Sequence, residues 1–399
     1  MFIAHSKARA LIALLFLFSI SSAHAQLDLP GLNPQEPDDV REQMQFGHAV
    51  GIIGNTAIVG APGTDGHGAV YMFTLTGSTW TRTAKLLAPD VAPGSFGSQL
   101  IYDGTLLISD PVRGHVYYFT WDGRKWKPRA ILSGGASGFG AAMAMEGCTA
   151  LITSTGDSGP ANQPGFVHVF DRCSTSDGNW KFIKSFTAPG TRSDEEFGSS
   201  IALSGNQLLV GAPTQMSLGS AYYFVKQSGN WVFKQRLAPK NPHNDLFFGS
   251  AVALHDTLAV IGEPTGRLDP DESGTGGIAF TFGLTSTGWA EVAEIRPAEA
   301  TGWAGFGTTV SVLTDRVIIS APDGLGTQRQ YGGTIYIYKR SGNALTFEST
   351  VSGNVDSLFG ATGVGFAFSV SGSSILVGAP RGGRGFEYGI AGVTPFPPP

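Results

Sequence analysis

The stretch Phe197-Gly198-Ser199-Ser200-Ile201-Ala202-Leu203-Ser204-Gly205-Asn206-Gln207-Leu208-Leu209-Val210-Gly211-Ala212-Pro213 decides the fold. An aromatic–glycine pair opens a run in which apolar and polar side chains alternate. Ser204-Gly205-Asn206 offers a turn, and a second apolar run stops at Gly-Ala-Pro. The opening pair returns as Phe46-Gly47, Phe96-Gly97, Phe139-Gly140, Phe248-Gly249 and Phe306-Gly307, and in degenerate form as Val364-Gly365. Closing triplets recur as Gly60-Ala61-Pro62, Ser109-Asp110-Pro111, Gly262-Glu263-Pro264, Ser320-Ala321-Pro322 and Gly378-Ala379-Pro380, while the third unit departs with Ser154-Thr155-Gly156. The first and seventh openings stand 318 residues apart, 53 per interval. A period near 50 marks a solenoid or a propeller.

Each unit continues in the same way. A glycine begins another apolar run, as in Gly68-Ala-Val-Tyr-Met-Phe73, Gly165-Phe-Val-His-Val-Phe170 and Gly333-Thr-Ile-Tyr-Ile-Tyr338. A turn follows, and then a tryptophan: Trp80, Trp126, Trp180, Trp231 and Trp289, with Ala344 in the sixth unit. Four β-type runs of period two per unit, separated by Gly, Asn and Asp turns, predict four antiparallel strands. Seven such units predict an all-β, seven-bladed β-propeller, in which radial closure leaves little exposed edge. The glycines, the prolines that end second strands and the large aromatics all have structural work in such a ring.

These units resemble FG-GAP repeats, the propeller repeats also seen in integrin α-chain head domains. The resemblance runs from residue 46 to about 393. It implies a binding or adhesion role on one loop face. Integrin-like repeats often carry an acidic calcium loop between first and second strands. The corresponding turns here, among them Gly54-Asn55, Asp103-Gly104 and Gly205-Asn206, are tight hairpins without three acidic ligands, so calcium binding does not carry over.

Residues 1–25 read as a signal peptide: Lys7 and Arg9, an apolar run from Ala10 to Ile20, then Ala23-His24-Ala25 as cleavage site. A mature chain from Gln26 is expected to be exported, secreted or periplasmic, without a membrane span. Losing Lys7 and Arg9 leaves 24 basic and 31 acidic residues, net −7. With no basic cluster, nucleic acid and anionic lipid are not expected partners. Residues 26–45 precede the first unit, and Leu27-Asp28-Leu29 is expected to supply the outer strand of the short seventh blade. Residues 394–399, rich in proline, read as a polyproline or disordered tail.

Cys148 begins the second strand of the third unit and Cys173 follows the third strand. Antiparallel pairing places those positions opposite each other, which predicts a disulfide in an exported chain.

Chemistry has few anchors. His48, His67, His115, His168, His243 and His255 are spread over different units, and no nucleophile elbow, phosphate loop or His-x-x-x-His pair is present. No catalytic residue and no cofactor is expected. Asp269 and Asp271 carry half of a calcium-loop pattern, against the competing reading of a solvated turn. Trp303, Phe247, Arg267, Arg329 and Tyr331 are the candidate anchors of a partner face, because aromatics and arginine dominate hot spots. The expectation is a monomeric, non-enzymatic propeller that binds a protein or another extracellular surface ligand. A glycan-binding lectin-like propeller, or a hydrolase or lyase using carboxylates at the channel mouth, are the alternatives.

Overall fold

The computed structural model describes residues 24–26, 31–32, 45–90, 92–136, 138–156, 163–214, 218–241, 247–264, 276–297, 304–322, 333–352, 363–372, 374–380 and 390–395. Their strands assort into seven sheets. Six are complete blades made of four consecutive antiparallel strands, such as Ser200–Ser204, Gln207–Ala212, Ser220–Gln227 and Asn230–Leu237 in the fourth. The chain is therefore an all-β propeller with four antiparallel strands per blade.

The seventh sheet is composite. The last unit supplies three strands, Ala367–Ser371, Ser374–Ala379 and Ile390–Pro395, and its outer partner is Gly31–Leu32 from the start of the chain. The N-terminal segment thus enters the ring, but through Gly31 and Leu32, paired with Gly392 and Ala391. Leu27-Asp28-Leu29, the expected strand, lies outside the described residues. A second short strand, His24–Gln26, runs parallel to Thr350–Ser352 at the outer edge of the sixth blade.

Burial peaks in the middle strands of each blade. In the first blade the second strand, Thr56–Ala61, and the start of the third, Ala69–Thr76, are buried on both faces, whereas the outer strand, Thr79–Leu86, alternates. Middle strands are sandwiched between neighbouring blades, so their sequences are continuous apolar runs rather than the period-two runs expected for every strand. All six complete blades have a register shift at one place between third and fourth strands, for instance Tyr223/Phe224 and Thr281/Phe282. An extra residue there adds twist to the outer strand.

The opening aromatics hold the blades together. Phe96 is fully buried among Ile58, Val70 and Met72 of the first blade and Leu106, Ile108, Tyr117 and Phe119 of the second. Its ring meets Tyr117 edge-on at 5.2 Å. Burying such a side chain contributes about 2–3 kcal/mol. The glycine after it makes the seam. A methyl on Gly60 would sit 2.1 Å from the Gly97 carbonyl oxygen, and the same pairing joins Gly211 to Gly249 and Gly262 to Gly307 at 2.0 Å. In the third blade Thr153 replaces the closing glycine and donates its hydroxyl to the Gly198 carbonyl at 2.6 Å.

Candidate functional site

Seven copies of one turn surround the propeller axis. In each, the N–H two residues after the opening aromatic position donates to the carbonyl one residue before it. His48 donates to Gln45, Ser98 to Ser95, Ala141 to Gly138, Ser199 to Glu196, Ser250 to Phe247, Thr308 to Gly305 and Phe366 to Gly363, at 3.0–3.1 Å. Four of these residues also donate a hydroxyl to that same carbonyl: Ser98, Ser199 and Ser250 at 2.8 Å, Thr308 at 2.7 Å. A hydroxyl whose hydrogen is committed to the backbone presents lone pairs elsewhere.

The residue before the aromatic position takes a positive φ in six of the seven turns. Glycine fills it at Gly138, Gly305 and Gly363, but Gln45, Glu196 and Phe247 fill it too, Phe247 at +94°. That conformation is unusual for a bulky side chain. Phe247, expected as an exposed anchor, is half-buried there.

The turns open on a cavity of about 420 Å³, within the range of small-molecule sites. His48, Ser199, Ser250, Thr308 and Phe366 line it from the turns, and Gln99, Ser200 and Thr309 from the next position along the strands. Val50, Leu100, Met143, Ile201, Val252, Val310 and Phe368 form an apolar collar further along the innermost strands. The lining among the described residues contains no carboxylate, lysine, arginine or cysteine.

The ring of turns is not symmetric. Small residues occupy it except at the meeting of the seventh and first blades, where the His48 and Phe366 rings lie 5.2 Å apart at a 53° tilt. His48 Nδ1 is 3.1 Å from the Ser98 carbonyl oxygen, so Nδ1 donates and Nε2 is left as an acceptor. Burial pushes the imidazole pKa below its ordinary value, which keeps the ring neutral at pH 7.

A second polar group sits between the first and second blades. The Arg113 guanidinium, 2.6 Å from Asp90, holds that carboxyl down to about 2. Tyr117 donates its hydroxyl to Asp90 at 2.7 Å and accepts from Arg113 at 2.8 Å. Burial, reinforced by Asp90, pushes the phenol up. Asp110 is fully buried close by and accepts from the Ser95 N–H and hydroxyl. These bonds tie a blade connection to the loop after a second strand.

The other sequence-predicted positions fall as follows. Cys148 and Cys173 are disulfide-bonded, with Cα atoms 5.5 Å apart. His168 is buried in a strand, where Tyr71, Tyr117 and Tyr222 stand in other blades. Its Nε2 meets the Ser154 hydroxyl at 3.0 Å and its Nδ1 the Ser185 hydroxyl at 2.9 Å. Trp180, Trp231 and Trp289 are buried as outer-strand packing, Trp289 edge-on to Tyr223 of the preceding blade at 5.6 Å. Trp303, Arg267, Arg329, Tyr331, Asp269, Asp271 and His243 lie outside the described residues. Among the described residues no helix is long and apolar enough to cross a membrane, and no three metal-type ligands gather. The ring of turns escaped the sequence reading. Its signal is the residue two after each aromatic, which varies as His, Ser, Ala, Ser, Ser, Thr and Phe beside an invariant glycine.

Comparison with known proteins agrees with this architecture. The FG-GAP repeat family matches residues 36–73 and 180–224. No match was found among the curated proteins. Among solved structures, a candidate 6-phosphogluconolactonase from Bacteroides uniformis superposes with a TM-score of 0.56 at 10% identity, over 77% of this chain and 86% of that one; at that identity the likeness is one of fold. Repeat register, interblade glycine seams and the two matched stretches together support an FG-GAP repeat β-propeller.

Proposed function

We propose that the protein is an exported, non-enzymatic binding propeller that recognises a protein or surface ligand through the face onto which its central cavity opens. One observation carries the reading. First strands begin where second strands end, as the Ala49–Gly60 and Ser200–Gly211 pairings require. The connections from second to third strands and from blade to blade therefore start and finish on the cavity's face. Recognition residues are disproportionately found on such loops. The leader-like residues 1–25 and the disulfide fit an oxidising compartment.

The lactonase-like neighbour raises hydrolysis as a rival. Hydrolysis needs a positioned general base and charge stabilisation. Among the described residues, the lining offers His48 as its one titratable side chain, with Nδ1 held by a carbonyl, which favours binding over turnover.

The test immobilises the chain from Gln26 through its C-terminus and offers it surface and extracellular material from its source. Capture is expected to weaken for Arg267→Glu and Arg329→Glu and to persist for Asn230→Asp on the opposite face. Equal capture by all three, or turnover of lactone substrates by the wild type, would reject the reading.

A further inference from the structure

We propose that the central cavity binds a neutral polyhydroxylated ligand, a carbohydrate residue, with one face of the sugar against the His48–Phe366 ring pair and its hydroxyls toward Ser199, Ser250 and Thr308. The proposal rests on the binding reading for the face used, and it assigns a ligand class to one place on that face.

The cavity has the parts such a ligand requires. Its volume of about 420 Å³ suits one or two sugar rings. The His48 and Phe366 rings, 5.2 Å apart and tilted 53° to each other, make an aromatic corner on one side of an otherwise small-residue ring. The electron-rich faces of aromatic rings attract the C–H-lined face of a sugar. Elsewhere around the ring stand hydroxyls whose hydrogens are already committed to the Glu196, Phe247 and Gly305 carbonyls. They are preorganised as acceptors, and acceptors suit the O–H donors of a polyol. Donors are present as well. Each innermost strand has a neighbour on one side within its sheet, so its other edge turns backbone N–H groups toward the axis. Among the described residues the lining carries no full charge, and buried His48 stays neutral. Phosphates, carboxylates and polyamines would enter without a counter-charge.

Saturation-transfer NMR and calorimetry on the chain from Gln26, with glucose, galactose, mannose, fucose, N-acetylglucosamine and their common disaccharides, test this. At least one neutral sugar is expected to bind, with affinity reduced tenfold or more by Phe366→Ala and by Thr308→Val. Thr308→Val keeps the side-chain shape and guards against loss of binding through misfolding. Absence of binding across the panel, or binding unchanged in both folded variants, would overturn the assignment. The two readings separate cleanly. Surface capture that persists without sugar binding removes the cavity assignment alone, whereas sugar binding without surface capture removes the partner-face reading.

Discussion

Gly378 and Gly47 meet at the closure of the ring, where a methyl on Gly378 would lie 2.0 Å from the Gly47 carbonyl oxygen. The two residues are 331 apart, yet their contact is the same as those between neighbouring blades elsewhere. Gly378 takes no positive φ; what it needs is space. Gly378→Ala is therefore expected to pry the first and seventh sheets apart and to cost about 2–4 kcal/mol. Gly54, whose added methyl would meet nothing within 4 Å and whose φ is +53°, is the control. Gly54→Asn should change stability by less than about 1 kcal/mol, since asparagine tolerates that backbone region. Denaturant unfolding of both variants checks the pair, and equal losses would show that the seam is not specific.

Deleting residues 26–32 should lower the melting temperature by about 3 °C or more. The deletion removes Gly31 and Leu32, leaving the outer edge of Ile390–Pro395 without its partner. An unchanged melting curve would mean that the three C-terminal strands close the ring unaided.

The Cys148–Cys173 bridge closes a loop of 25 residues. Cys148→Ser with Cys173→Ser, or full reduction, should cost about 3 kcal/mol under the loop-entropy account. The third blade should suffer first, because its closing segment, Thr153-Ser154-Thr155, departs from Gly-Ala-Pro. Hydrogen exchange at Thr149–Ser154 and Phe166–Asp171 would locate the effect, and a uniform change across all blades would contradict it.

Burial pushes His168 down to about 4 from 6.5. Between those values the unfolded chain holds a proton that the folded chain does not. Stability should therefore fall as pH drops from 6.5 toward 4, by at most about 3 kcal/mol, and the loss should be complete below the folded value. His168→Tyr places there the residue used at Tyr71 and Tyr222 and should flatten that part of the profile. A variant with the same pH slope as the wild type would remove His168 as its source.

Some of this molecule was legible in the chain, and for physical reasons. Phe96 and Gly97 must fill the same seam in every blade, so they repeat and can be counted. Cys148 and Cys173 lie on adjacent strands, so their meeting follows from local register. Gly31 and Leu32 were not legible, because a two-residue strand has no periodicity and its partners Gly392 and Ala391 stand 360 residues away. His48 and Phe366 meet only once the ring closes, and neither is unusual in its own unit. The cavity follows from closure too: residues about fifty apart share nothing but their distance from an aromatic. The third strands misled in a milder way, since burial on both faces erased the alternation that marks a half-exposed strand.

The composite seventh sheet also sets an order of events during synthesis. Blades one to six can each form from contiguous chain as it leaves the ribosome, but the cavity and its His48–Phe366 pair cannot exist until Ala367–Pro395 has arrived and met the first blade and Gly31–Leu32. Any copy lacking the seventh unit is thus an open arc, with blade faces at both ends uncovered and no central chamber, and that unit is the one that turns a row of sheets into a vessel.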